Sequence, residues 1–335
     1  MTIPPALGNS IRLPAVCAPM IGISGPALVT AACKAGIMAG LPRHNAASFE
    51  QFEEWLRLVR LALDRFRDEM PGAPIGPLAV NLSGATPPDE IKRELTLCRR
   101  YGVEIFISAR GDPSELAKRV HDAGGLIFHD VTSHRFAEKS VEAQVDGITC
   151  IAAGGGGHAG TISPFALVPQ IRKIFDGTIL LGGAISTGAG IRAAETLGAD
   201  LAYLGTRFIA TVEANADQRY KTMIVASRAD DVIFSSAING VAANWLTESL
   251  RDSGLDPANL PRSPERGNYS HLPAGTRPWR DIWSAGHGIA SITAIEPVGN
   301  VVDRLITEYE EACALPKFAP VNGAGQPSKV GDGLG

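Results

Sequence analysis

The chain of 335 residues contains no apolar run long enough to span a bilayer, and its first residues, Met-Thr-Ile-Pro-Pro-Ala-Leu-Gly, have neither the basic start nor the apolar core of a secretion signal. A cytoplasmic protein without a membrane partner is expected. Basic residues form no run, and a formal net charge of -4 gives no electrostatic case for nucleic acid. Cysteine is scarce. Cys17, Cys33, Cys98, Cys150 and Cys313 are odd in number and widely spaced, which suits buried reduced thiols rather than a disulfide framework or a zinc site. No two histidines have metal-ligand spacing with a third ligand nearby, so no metal is expected.

Glycine is plentiful, and it concentrates in Ala152-Ala-Gly-Gly-Gly-Gly-His-Ala-Gly160. Four successive residues without a β-carbon let the backbone turn through positive φ and press against a flat or bulky ligand, leaving His158 as the one titratable side chain. The apolar run Val145–Ile151 precedes this loop, and Ser163-Pro164 opens an amphipathic stretch after it. The loop is therefore a strand-to-helix connection, where α/β folds keep their chemistry. Cys150 is the cysteine nearest to it.

Apolar runs of strand length recur at Ala15–Met20, Ile37–Gly40, Pro77–Leu82, Glu104–Ala109, Leu126–Val131, Gly147–Ala152, Thr178–Gly183 and Leu201–Thr206. Helical patterns lie between them at Pro26–Ala35, Phe49–Arg67, Pro88–Arg100, Ser114–Asp122, His134–Ala143, Pro164–Phe175 and Gly188–Leu197. Eight strands with helical returns fit a (β/α)8 TIM barrel better than a doubly wound sheet, which stays as the alternative. After the eighth strand, Glu213 to Arg251 reads as helices and Asp256 to Arg280 is rich in Pro, Gly, Asn and Arg. The expected organisation is a barrel over residues 1–210 and 281–315, a helical lid over 211–280 and a loose arm over 316–335, with one closing helix from Trp283 to Cys313.

In such barrels the loops after strands seven and eight often hold phosphate on backbone N–H groups. Here those loops are Gly182-Gly183-Ala184-Ile185-Ser186-Thr187-Gly188 and Gly205-Thr206-Arg207-Phe208. Together they form a candidate phosphate cradle.

Taken in order, Ala18-Pro19-Met20, Val80-Asn81-Leu82, Gly156-Gly-His-Ala-Gly160, Gly182-Gly183-Ala184, Gly205-Thr206-Arg207-Phe208 and Ile282-Trp-Ser-Ala-Gly286 resemble the FMN-dependent nitronate monooxygenases, formerly 2-nitropropane dioxygenases. The resemblance spans roughly Pro14 to Cys313. It implies FMN over the C-terminal mouth of the barrel, with phosphate on the loops at 182–184 and 205–206. The ring would lie near Ala18, Pro19, Met20, Asn81, Asp130, Gly156 and Gly157, with Ala285 and Gly286 on the closing side. His158 corresponds to the proposed catalytic base. Two positions depart from the pattern: Gly154 replaces a glutamate of several relatives, and Asp130 stands where some carry a lysine.

An imidazole can take a proton from carbon beside a nitro group, or hold a nitronate once protonated. The implied activity is oxidation of alkyl nitronates by molecular oxygen. The alternatives are an NAD(P)H:quinone or enoyl-thioester reductase on the same cofactor, and a non-redox barrel holding a phosphate ligand. His44 with Arg43, His129 at the end of strand five and Trp245 are further candidates for contact with a small-molecule substrate, and capping or packing roles stay open for each. His121 and His134 read as helix-surface residues. Exposed barrel helices suit a homodimer.

Overall fold

The computed structural model describes residues 8, 10–109 and 111–316. The apolar runs become β1 (Ala15–Cys17), β2 (Met38–Pro42), β3 (Leu78–Leu82), β4 (Ile105–Ala109), β5 (Leu126–Val131) and β6 (Gly147–Ile151). A two-residue β7 (Gly157–His158) follows, then β8 (Thr178–Gly182) and β9 (Leu201–Leu204). Apart from β7 these strands pair in parallel around a ring, and β9 returns to β1 through Ala15↔Ala202 and Cys17↔Leu204. The sheet is closed, so the fold is a (β/α)8 barrel and the doubly wound alternative falls away.

The period of two sorts side chains across the barrel wall. Val16, Met38, Ala79, Ile105, Ile107, Phe128, Leu180 and Tyr203 fill the interior as one cluster. The alternate residues, among them Ile127, Ile148, Ile179 and Ala202, face the helical layer. That layer consists of α1 (Pro26–Lys34), α2 (Phe49–Glu69), α3 (Pro88–Arg100), α4 (Ser114–Asp122), α5 (His134–Glu142), α6 (Pro164–Arg172) and α7 (Gly188–Leu197). In α2 the buried stripe Phe52, Leu56, Val59 and Leu63 has helical spacing, and the Ser48 hydroxyl accepts from Gln51 N–H at its start. Burying each such side chain contributes about 2 kcal/mol before entropy is counted.

The chain after β9 differs from the helices expected over Glu213 to Arg251. A one-turn α8 (Thr206–Ile209) and α9 (Gln218–Ala226) are helical, but β10 (Val232–Ser235) and β11 (Ala243–Leu246) form an antiparallel hairpin before α10 (Thr247–Asp252). β11 also pairs with β7, making a small sheet of order β10-β11-β7. Its apolar side has its own core, in which Ile238, Ala243, Trp245, Leu250 and Ile282 are buried. The closing helix is shorter than expected: α11 (Val298–Ala314) begins after Pro297 at its N-cap, and Trp283 to Gly286 lies outside any helix. α11 carries Cys313, which is exposed, unlike the other four cysteines and contrary to the expectation of burial. No helix among the described residues is long and apolar enough to cross a membrane. Apart from Pro316, the arm expected over 316–335 lies outside the described residues.

Candidate active site

The glycine-histidine loop leaves β6, turns at Gly154 with φ of 81°, and runs as β7 alongside β11, with Ala243 opposite His158. A side chain at 154 would be strained by that φ, and its β-carbon would lie 3.2 Å from that of Ala184. The glutamate of several relatives therefore has no unstrained place on this backbone.

Hydrogen bonds hold the loop from three sides. The Gly154 carbonyl accepts from Ala184 N–H (3.2 Å) and His287 N–H (2.9 Å). Asn244 Nδ2 donates to the Gly155 carbonyl at 2.6 Å. Gly157 N–H donates to Ser284 Oγ at 2.6 Å, and that hydroxyl donates in turn to the Asn244 carbonyl. The chain from Ser284 to Gly286 thus crosses the ends of β6, β8 and β9. There, Gly286 N–H donates to Thr206 Oγ1 at 2.9 Å, and a β-carbon on Gly156 would stand 2.9 Å from the same oxygen and 3.1 Å from Gly286 N. These atoms leave no room for a side chain at either glycine.

His158 is held on two faces. Its Nε2 lies 3.1 Å from Asn239 Nδ2, and its ring centroid lies 5.2 Å from that of Trp279. Trp279 occupies the left-handed backbone region at φ of 70°, which is unusual for an aromatic residue. Behind it stands Trp245, at 4.5 Å between centroids.

Below the loop, Asn81, Asp130, Thr149 and Tyr203 take inward positions at the C-terminal ends of their strands, above the apolar floor of Ala79 and Phe128. Asn81 Nδ2 donates to the Ile107 carbonyl at 3.1 Å. Asp130 Oδ1, Thr149 Oγ1 and the Tyr203 hydroxyl are sealed from solvent without a hydrogen-bond partner. Burial pushes the Asp130 carboxyl up to about 7, and burial with the neighbouring Asp130 pushes the Tyr203 hydroxyl well above its ordinary range. Three unsatisfied polar atoms under a glycine cradle are what a planar, polar-edged cofactor would satisfy. The Ser186 hydroxyl, also buried and unpartnered, adds a donor in the loop after β8. Ala18 belongs to the interior cluster, while Pro19 packs on Gly40 and the Met20 sulfur faces Gly205, joining the first and last strands of the ring. Ala184 adopts φ of 55°, a second strained backbone at the loop after β8.

Three expected residues stand apart from this cluster. His129 follows inward-facing Phe128 and so points to the outer side of the wall, where its Nδ1 meets Ser108 Oγ at 2.7 Å and burial lowers its imidazole to about 4. This outward position takes His129 away from the mouth, where contact with substrate was expected. Trp245 is on a strand, not a helix, is wholly buried and donates its indole N–H to the Ser235 carbonyl. His44 is exposed on the turn Arg43–Asn45 after β2, while Arg43 pairs with Glu94 at 2.7 Å. Asn239, Trp279 and Ser284 are the site residues that sequence reading did not single out. For Asn239 the signal was present, since Asn239-Gly240 between β-rich runs marks a hairpin turn.

Residues 57–308 match the nitronate monooxygenase family. The chain belongs to that family. A nitronate monooxygenase of Paraburkholderia phytofirmans is 30% identical over 300 residues, covering 79% of this chain and 80% of that one. The nitroalkane oxidase structure from Streptomyces ansochromogenes shares the fold with a TM-score of 0.70 at 23% identity, over 92% of this chain and 99% of the other. FabK from Thermotoga maritima does so with a TM-score of 0.66 at 22% identity, over 91% and 95%. Nitronate monooxygenases are flavin-dependent oxidoreductases, and the chain is an oxidoreductase of this family.

Proposed function

We propose that this nitronate monooxygenase family member binds FMN and oxidises alkyl nitronates with molecular oxygen, with His158 as its catalytic base. The observation that carries the reading is His158, paired on β7 in the glycine loop that follows β6, the strand whose Thr149 and its neighbour Asp130 on β5 hold unsatisfied polar atoms. Gly182, Gly183, Ala184, Gly205 and Thr206 would hold the phosphate on backbone N–H groups, with the Ser186 hydroxyl beside them. Ala18, Pro19, Met20, Asn81, Asp130, Gly156, Gly157, Ala285 and Gly286 would line the ring. When bound, the flavin supplies the electron transfer from nitronate to oxygen.

The chain's own contribution is to orient, to shield and to move a proton. His158 takes the proton from the carbon beside the nitro group of a neutral substrate or steadies the nitronate oxygens, and Trp279 walls one side of the imidazole. Asp130, held neutral at low pH by burial, offers a hydrogen-bond donor where some relatives carry a lysine. Residues 211–280 act as a lid in this reading, since their hairpin takes β7 into its own sheet. His44, exposed on the turn after β2, would meet substrate on its way in under this reading. A cytoplasmic setting agrees with the four buried free thiols, and Leu58 and Leu61, exposed on α2, suit a homodimer.

Replacing His158 with Gln tests the assignment. The expected result is a fall of about 10²-fold to 10⁴-fold in turnover of the neutral nitroalkane, with a smaller change for the nitronate and the flavin absorbance retained; unchanged turnover of the neutral nitroalkane would remove His158 as the base.

A further inference from the structure

We propose that Asn239 is a positioning residue that places the proton of neutral His158 on Nδ1 and leaves Nε2 as the basic nitrogen. The inference rests on the reading of His158 as a base, and it assigns the atom that does the work.

The logic is one of donors and acceptors. Asn239 is buried, and its side chain touches two groups, with Oδ1 3.1 Å from Val241 N and Nδ2 3.1 Å from His158 Nε2. A backbone N–H can only donate, so the amide oxygen must face Val241 and the NH2 group must face the imidazole. An NH2 group cannot accept, so Nε2 must present its lone pair, and in the neutral ring the proton then resides on Nδ1.

The turn that carries Asn239 is built to keep the amide in place. Gly267 N–H donates to the Asn239 carbonyl, and Gly240 N–H donates to Ser236. His271 Nε2 lies 2.8 Å from the Ala237 carbonyl, and Trp245 donates to the Ser235 carbonyl from below. Gly240 has φ of 76° and packs so closely on the Arg266 backbone that a β-carbon would stand 2.8 Å from its Cα. The backbone of the turn is therefore fixed, and a substrate reaching Nε2 takes the place of the amide N–H as the Asn239 side chain rotates away.

The test is ¹⁵N NMR of the flavin-loaded protein labelled at histidine nitrogen, with His158→Gln used to assign the signals, at a pH well above the ordinary imidazole range. In the parent protein a protonated Nδ1 and an unprotonated Nε2 are expected. Asn239→Asp keeps the shape and the bond from Val241 N–H but faces Nε2 with a carboxylate, so a proton on Nε2 and a loss of roughly tenfold or more in kcat/KM are expected. Nε2 already protonated in the parent, or identical signals in Asn239→Asp, would overturn the proposal. Absence of nitronate turnover in the parent with Nδ1 protonated would refute the proposed activity and leave the assignment of the proton standing.

Discussion

Trp279 stands between two rings, 5.2 Å from His158 and 4.5 Å from Trp245, on a backbone in the left-handed region. An aromatic residue is kept there because neighbours on both sides fix it, including its own N–H bond to the Ile282 carbonyl. Trp279→Ala opens space beside the imidazole and uncovers one face of Trp245. The expected outcome is a KM for short nitronates raised about tenfold, equal to about 1.4 kcal/mol, with a smaller change for bulky ones. Steady-state comparison of a short and a branched nitronate checks this, and equal changes for both would show that Trp279 does not wall the substrate.

Asp130 makes stability depend on pH. Burial holds its carboxyl at about 7 in the folded state, whereas the unfolded chain releases the proton near the ordinary carboxylate value of about 4. The folded state binds the extra proton between those values, so its contribution is complete below about pH 4 and is lost as pH rises through about 7. Asp130→Asn removes that dependence. In urea unfolding without flavin the variant is expected to gain on the parent by about 4 kcal/mol between pH 4 and pH 8. A constant difference across that range would contradict the raised value.

His129 acts in the opposite sense. Burial lowers its imidazole to about 4, so the unfolded chain takes up the proton first as pH falls below about 6.5. Its share of stability is present above that pH and is lost on the way down through about pH 4. A His129→Gln variant should show a flatter fall between pH 6.5 and pH 4 in the same unfolding series, and an unchanged slope would place the acid sensitivity elsewhere.

At the other end of the barrel, Asp200 Oδ2 binds Arg172 Nη2 at 2.5 Å and accepts Ile179 N–H at 2.8 Å, with the Asp200 side chain 3% exposed. Asp200→Ala leaves a half-buried guanidinium and a strand N–H without that acceptor. A loss of about 3 kcal/mol in chemical unfolding is expected, with the flavin spectrum of the folded fraction unchanged. A loss below about 0.5 kcal/mol would mean that the pair behaves like an exposed one.

Gly156 is where the loop after β6 meets Thr206 and Gly286 at van der Waals limits. Gly156→Ala forces the closing segment outward and is expected to cost about 1–3 kcal/mol. Flavin affinity should fall by about tenfold or more while the far-ultraviolet circular dichroism stays that of the parent. Full flavin retention would show that this close approach does not shape the cofactor cradle.

The barrel was legible because each strand buries an apolar run of the right length and each helix repeats at 3.6 residues, so local pattern and global fold agree. His158 was legible for a similar reason, as an imidazole after four glycines at a strand end. The hairpin was not: between Glu213 and Arg251 the helical segments at either end outweighed Val232–Ser235, although Asn239-Gly240 marked the turn. The outward direction of His129 depended on strand parity, which only the register with β4 and β6 fixes. Ser284 lies within the recognised segment Ile282–Gly286, but its part in holding the loop was not legible, since its bond to Gly157 N–H spans 127 residues.

The most direct measurement is the absorbance spectrum of the purified protein under nitrogen, followed after addition of propyl nitronate in one cuvette and NADH in another. Flavin bands that bleach with the nitronate and not with NADH, and return on admitting oxygen, are the expected result. Bleaching with NADH alone would make the enzyme a reductase, and a protein without flavin bands that cannot be reconstituted with FMN would contradict the proposed activity altogether.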